Sequence, residues 1–136
     1  MNQIAANPAL RAAVVYVALL TLLVVPLVFN VVRMRRSLKV GIQDGGNKDL
    51  ARAIRVHGNF TESAPFAIGL LLAMPLAGVS AWVVHCVGLA VVAGRIAHAV
   101  GLSQSAGASL GRVAGMLVTL AALIVGSVAL LVAALG

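Results

Sequence analysis

Acidic residues are the scarcest chemistry in this chain. Three Asp and Glu stand among 136 residues, against ten Lys and Arg. Charge of both signs amounts to only 10%, well below the roughly 25% of an ordinary soluble domain. Aromatics are 4%, so no basic stripe is interleaved with stacking side chains, and nucleic acid is not an expected partner. The single cysteine, Cys86, excludes an intramolecular disulfide and hence a disulfide scaffold. No Cys/His spacing fits a zinc site, so no metal is expected. No Ser–His–Asp arrangement, internal repeat or low-complexity segment is present.

Apolar residues are what the chain has instead. They make up 62% of it, with mean hydropathy +1.09. Disorder and collagen are excluded by the same figures. A small soluble domain buries only about 60–70% of the surface its unfolded chain exposes. This much apolar surface therefore needs lipid as its solvent.

A helix crosses the bilayer core with about 20 apolar residues. Residues 12–32 carry no charge, and Pro26 near their end is expected to kink the helix. Residues 63–94 are also uncharged but too many for one helix, and Met74-Pro75-Leu76-Ala77-Gly78 marks a turn between two. A last uncharged run covers 113–136. The expected fold is all-α integral membrane: one domain, 1–136, folded as an up-and-down bundle of four transmembrane helices at about 10–32, 49–76, 79–101 and 109–135. Nine of the ten basic residues fall in or beside loops one and three. The positive-inside rule then places those loops in the cytoplasm and both termini outside. Arg33, Arg36 and Lys39 read first as such topology signals.

The second helix carries polar residues that lipid does not favour. Asn47 or Asp49 can cap it. With Arg52 at zero and about 100° per residue, Arg55 falls near −60°, Asn59 near −20° and Glu62 near −80°. This narrow stripe faces protein or a wet cavity. Arg95 and His98 share one face of the third helix, and Arg112 opens the fourth. Asn30, Arg33 and Arg35 or Arg36 lie at the same level, so one polar cluster is expected there. Several guanidinium groups suit carboxylates, and Glu62 suits an ammonium group. Glutathione has that combination together with a thiol. Against this stand plainer readings: Glu62 as an interhelical ion pair, His57 as an interfacial residue, and His85 and Cys86 as packing, with His85 hydrogen-bonded to a neighbouring helix. Gly107, Gly111, Gly115, Thr119, Ala122 and Gly126 form a small-residue surface for close helix contact.

Arg52-Ala-Ile-Arg55-Val-His57-Gly-Asn59-Phe-Thr-Glu62-Ser-Ala-Pro65, Gly94-Arg95-Ile-Ala-His98 and the four short spans together resemble the MAPEG family, the membrane-associated proteins of eicosanoid and glutathione metabolism. Arg55, Asn59, Glu62 and Pro65 match the family pattern position by position. The resemblance covers the whole chain and is closest to the small bacterial members. It implies a homotrimer in the bacterial inner membrane, with glutathione as cofactor between subunits at the cytoplasmic side. The implied activity is that of a microsomal-type glutathione transferase or peroxidase on a lipophilic small-molecule substrate. By that resemblance Arg35, Arg52, Arg55, His57, Asn59, Glu62 and His98 belong to the glutathione site. Arg112 is the candidate for stabilising the thiolate, with Arg95 as substitute. Ser63, His98 and Leu102 stand where eukaryotic members carry tyrosine; the one tyrosine here is Tyr16. Two other readings remain open. One is a non-catalytic MAPEG-fold protein binding an anionic lipid or metabolite. The other is a small proton-coupled transporter using Glu62.

Overall fold

The computed structural model describes residues 6–105 and 107–136. Four helices account for almost all of them: α1 (Pro8–Leu38), α2 (Lys48–Leu76), α3 (Ala81–Gln104) and α4 (Leu110–Leu135). Three of the four, α1, α2 and α4, begin at a side-chain cap, Asn7, Asn47 and Ser109. Asn7 Oδ1 accepts from the Leu10 N–H ahead of α1, with Pro8 at the first helical position, where no N–H is needed. At α2 the cap is Asn47, whose Oδ1 accepts from Asp49 and Leu50 N–H. Asp49 lies in the first turn, where its charge complements the helix dipole.

α1 extends six residues beyond the expected end at 32, through Pro26 and without interruption, to Leu38. Arg33, Arg35 and Arg36 therefore ride on helix. It stops at Lys39, which takes a left-handed conformation, φ 55°, with its N–H bonded back to Arg35 and Arg36 carbonyls. α2 and α3 are joined by a tight turn at Gly78, φ +80°. The Gly78 N–H bonds to Pro75 O and the Val79 N–H to Met74 O. That positive φ is what the glycine is for.

Three of the helices, α1, α3 and α4, are long and apolar enough to cross a membrane. The fourth, α2, is long enough but less apolar. Its first half carries Lys48, Asp49, Arg52, Arg55 and Glu62, so its uncharged part runs only from Ser63 to Leu76. α2 nevertheless packs within the bundle, with Ala64, Ala67, Leu71 and Met74 buried.

Helix pairing follows side-chain size. α3 and α4 meet backbone to backbone. A Cβ on Gly94 would lie 2.9 Å from the Gly115 carbonyl, and one on Gly115 would lie 2.5 Å from the Gly94 carbonyl. Gly111 and Gly101 face each other farther along. Gly126 meets Leu70 of α2 and Val87 of α3. The small-residue surface of α4 is thus used inside the chain, except Gly107, which precedes the helix. α1 packs on α2 and α3, and among the described residues it does not touch α4. Leu20, Leu71, Met74, Val84 and Val91 form the buried centre, while Phe29, Phe66, Trp82, Leu117 and Leu131 project outward.

Candidate functional site

The first turns of α2, the last of α3 and the first of α4 meet at the basic end of the bundle. Lys48, Ala51, Arg52 and Arg55 of α2, Leu102 of α3 and Arg112 of α4 line a cavity of about 350 Å3. Four of these six side chains are cations and none is a carboxylate. Arg112 is set there by a short chain of bonds. Ser109 Oγ accepts from the Arg112 N–H at 3.3 Å and donates to Gly101 O at 3.0 Å. His98 Nδ1 donates to the Arg112 carbonyl at 2.9 Å, and Arg112 Nη1 donates to Gly107 O at 3.4 Å.

The other cations are only lightly neutralised. Arg52 Nη2 lies 3.7 Å from Asp49 Oδ1, its Nη1 donates to Ser103 O at 3.5 Å, and its Nε is buried without a partner. Arg55 Nη1 lies 3.4 Å from Glu62 Oε1, two turns along the same helix, with the two side chains 61% and 60% exposed. An exposed pair of this kind contributes little to stability and opens readily to an incoming anion. Arg55 also lines a second cavity, of about 400 Å3, with Gln43, Asp44, Ala51, Ile54 and Gly58.

The polar stripe read on α2 divides in three dimensions. Arg55 and Glu62 stay at the surface and Arg52 is half-buried, but Asn59 is buried. Its Nδ2 donates to Arg55 O at 3.0 Å, and its own carbonyl accepts from Arg95 at 3.4 Å. A rotation of roughly 40–60° about a helix is enough to separate core from surface. Arg95 lies behind the cavity and is fully buried. Its Nε donates to Thr119 Oγ1 at 2.9 Å and its Nη1 to Ser63 Oγ at 2.9 Å. Nη2 points at Met116 Sδ, 3.7 Å away. One guanidinium thus ties α2, α3 and α4 together through neutral acceptors, with no ion pair to it among the described residues. His98 is buried beside it, and its Nε2 has no partner.

The single cluster expected at this level is therefore several sites. Arg52, Arg55 and Arg112 share the cavity, with Glu62 joined through Arg55. Asn59, Arg95 and His98 support it from behind. His57 is half-buried and lines none of these cavities. Arg35 lines a separate cavity at the end of α1. Asn30 borders a smaller one, about 170 Å3, with Met34, Asp49, Arg52 and Ser103 among its walls. Lys48 was not among the expected site residues; its spacing of four from Arg52, one helical turn, is the signal that marks it. Nothing in the sequence marks Ser63 and Thr119 as partners of Arg95. Tyr16 lies toward the opposite end, its hydroxyl 3.1 Å from His85 Nδ1, which is the interhelical bond expected of His85. His85 and Cys86 themselves are exposed on the bundle surface rather than packed inside it.

Three membrane-length helices, together with a cationic cavity at one end of the bundle, define a small helical membrane protein. The MAPEG family model matches residues 13–132, and the chain belongs to that family. It is similar to the inner membrane protein YecN of Escherichia coli strain K12, at 43% identity over 79 residues, 58% of this chain and 60% of that protein. The same protein from Escherichia coli O6:H1 strain CFT073 matches to the same extent. The match thus spans less than two thirds of the length of these curated relatives.

Proposed function

We infer that the chain is an inner-membrane protein whose basic end faces the cytoplasm and binds glutathione, for transfer to lipophilic electrophiles. The observation that carries this reading is the cavity of Lys48, Arg52, Arg55 and Arg112, which has no carboxylate in its wall. Its volume of about 350 Å3 falls in the range of small-molecule sites, roughly 300–1,000 Å3. Glutathione offers two carboxylates to the guanidinium groups and an ammonium group to Glu62. Its thiol beside Arg112, in the first turn of α4, is favoured as thiolate by the cation and by the helix N-terminus. The thiolate sulfur then bonds to the electrophilic carbon as the leaving group departs. Arg112 takes this role rather than Arg95, whose N–H groups are engaged by Thr119, Ser63 and Asn59. The family resemblance adds assembly as a homotrimer, with the ligand between subunits, and contributions to the site from His57 and His98.

Calorimetry of the detergent-solubilised protein with glutathione and S-hexylglutathione tests the binding. A saturable heat is expected, and its absence at millimolar ligand, together with no thermal shift, overturns the reading. Native mass spectrometry tests the trimer.

One observation favours a second reading, in which the site binds glutathione or another anionic metabolite without catalysis. Tyr16, the one tyrosine, is engaged with His85, so no tyrosine hydroxyl stands at the cavity. Binding without conjugation of a chloronitrobenzene substrate would select it. The proton-coupled transporter reading has no such support, since Glu62 is exposed and paired with Arg55.

A further inference from the structure

The basic residues closing α1 are not used by that reading. Val32, Arg35, Arg36, Lys39, Val40 and Gly41 line a cavity of about 400 Å3. It shares no wall residue with the cavity of Arg52, Arg55 and Arg112. Half of its lining side chains are cations and none is a carboxylate. Arg35 Nη1 is buried and has no hydrogen-bond partner, a costly state for a charged donor. At the helix end the Arg35 and Arg36 carbonyls already receive Val40 and Lys39 N–H. Arg33 is held apart, with Nη2 donating to Asn30 Oδ1 at 3.2 Å.

The cavity also has a direction. Val25, Val28, Phe29 and Val32 are all exposed, and their spacing puts them on one face of α1 that leads into it. Apolar helix surface meets three cations there, which is the arrangement of a bilayer interface, hydrocarbon on one side and headgroups on the other. A free anion would use only the cations. An anionic phospholipid would use the cations and the apolar face together.

The geometry points to a docking site for one anionic phospholipid, its phosphate held by Arg35, Arg36 and Lys39 and its acyl chains lying along Val25, Phe29 and Val32. Arg35 supplies the forked donor, and the other two supply charge.

The test titrates the purified full chain in nonionic detergent with phosphatidylglycerol, phosphatidylcholine or inorganic phosphate, read by native mass spectrometry and thermal shift. Phosphatidylglycerol is expected to saturate a single site per chain and to bind at least tenfold tighter than phosphatidylcholine. Inorganic phosphate in large excess should not displace it. Arg35→Gln, and the double variant Arg36→Gln/Lys39→Gln, should weaken phosphatidylglycerol by about fivefold per cation removed. Arg35→Lys should lose less than Arg35→Gln. The double variant alters exposed side chains and so keeps the test valid if Arg35→Gln does not fold; its heat with glutathione should be that of the wild type. Equal binding of the two lipids overturns the proposal, as does unchanged lipid affinity in the variants. Displacement by inorganic phosphate would replace it with a soluble-anion site.

Discussion

Arg95 and Arg55 carry the same guanidinium group on neighbouring helices of one bundle, yet they live in opposite surroundings. Arg95 is 2% exposed and is held by Thr119, Ser63 and the Asn59 carbonyl, all neutral acceptors. The Arg55 side chain is 61% exposed and has one carboxylate, Glu62, at 3.4 Å. A buried cation is tolerated only if its donors are met, so Arg95 has become part of the framework. An exposed cation costs little to leave half-paired, so Arg55 is available to a ligand. Charge in a membrane bundle thus does two jobs, and burial decides which.

The comparison breaks most easily at Arg95. Arg95→Ala leaves three acceptors on α2 and α4 without their donor, at roughly 1 kcal/mol each, so about 3 kcal/mol of stability should be lost in reversible unfolding in detergent. If Arg55→Ala destabilises equally, the distinction between framework and ligand cation is wrong. Gly115→Ala probes the same framework without touching charge. Its new methyl group would press on the Gly94 carbonyl and should cost about 2 kcal/mol, whereas Gly107→Ala, in the loop, should stay within about 0.5 kcal/mol.

On the ligand side, Arg55→Ala and Glu62→Gln should each weaken glutathione binding by about 1.5–3 kcal/mol, read by calorimetry, with unfolding midpoints near wild type. Binding that survives both substitutions would move the site away from Arg55. A small effect is expected at the far end of the bundle. Tyr16→Phe removes the bond to His85 and should cost about 0.6 kcal/mol, the usual size for a hydrogen bond between membrane helices; glutathione affinity should not change.

Much of the fold is readable in the amino-acid order. Uncharged runs marked the helices, and Asn47 and Gly78 sit where a cap and a turn were expected. α2 was harder because its polar stripe and its apolar half belong to one continuous helix, Lys48–Leu76. Of the candidate site, residue type and level along the helices single out Arg52, Arg55 and Arg112, and these three line one cavity. Neither property shows that Asn59, on the stripe of Arg55, turns inward to Arg95, or that Arg35, at the same level, opens onto a different cavity.

The amino-acid order by itself determined the lipid solvent, the helices, the concentration of positive charge at one end and the motif that marks the family. These depend on local composition and on the helical repeat, which each segment carries alone. Only the tertiary structure decided which cations are buried and which are open, because that depends on how each helix is rotated against its neighbours. The rotation is fixed where Gly94 and Gly115 let two backbones touch. That contact holds Arg95 inside, beside Thr119, and leaves Arg112 on the cavity wall.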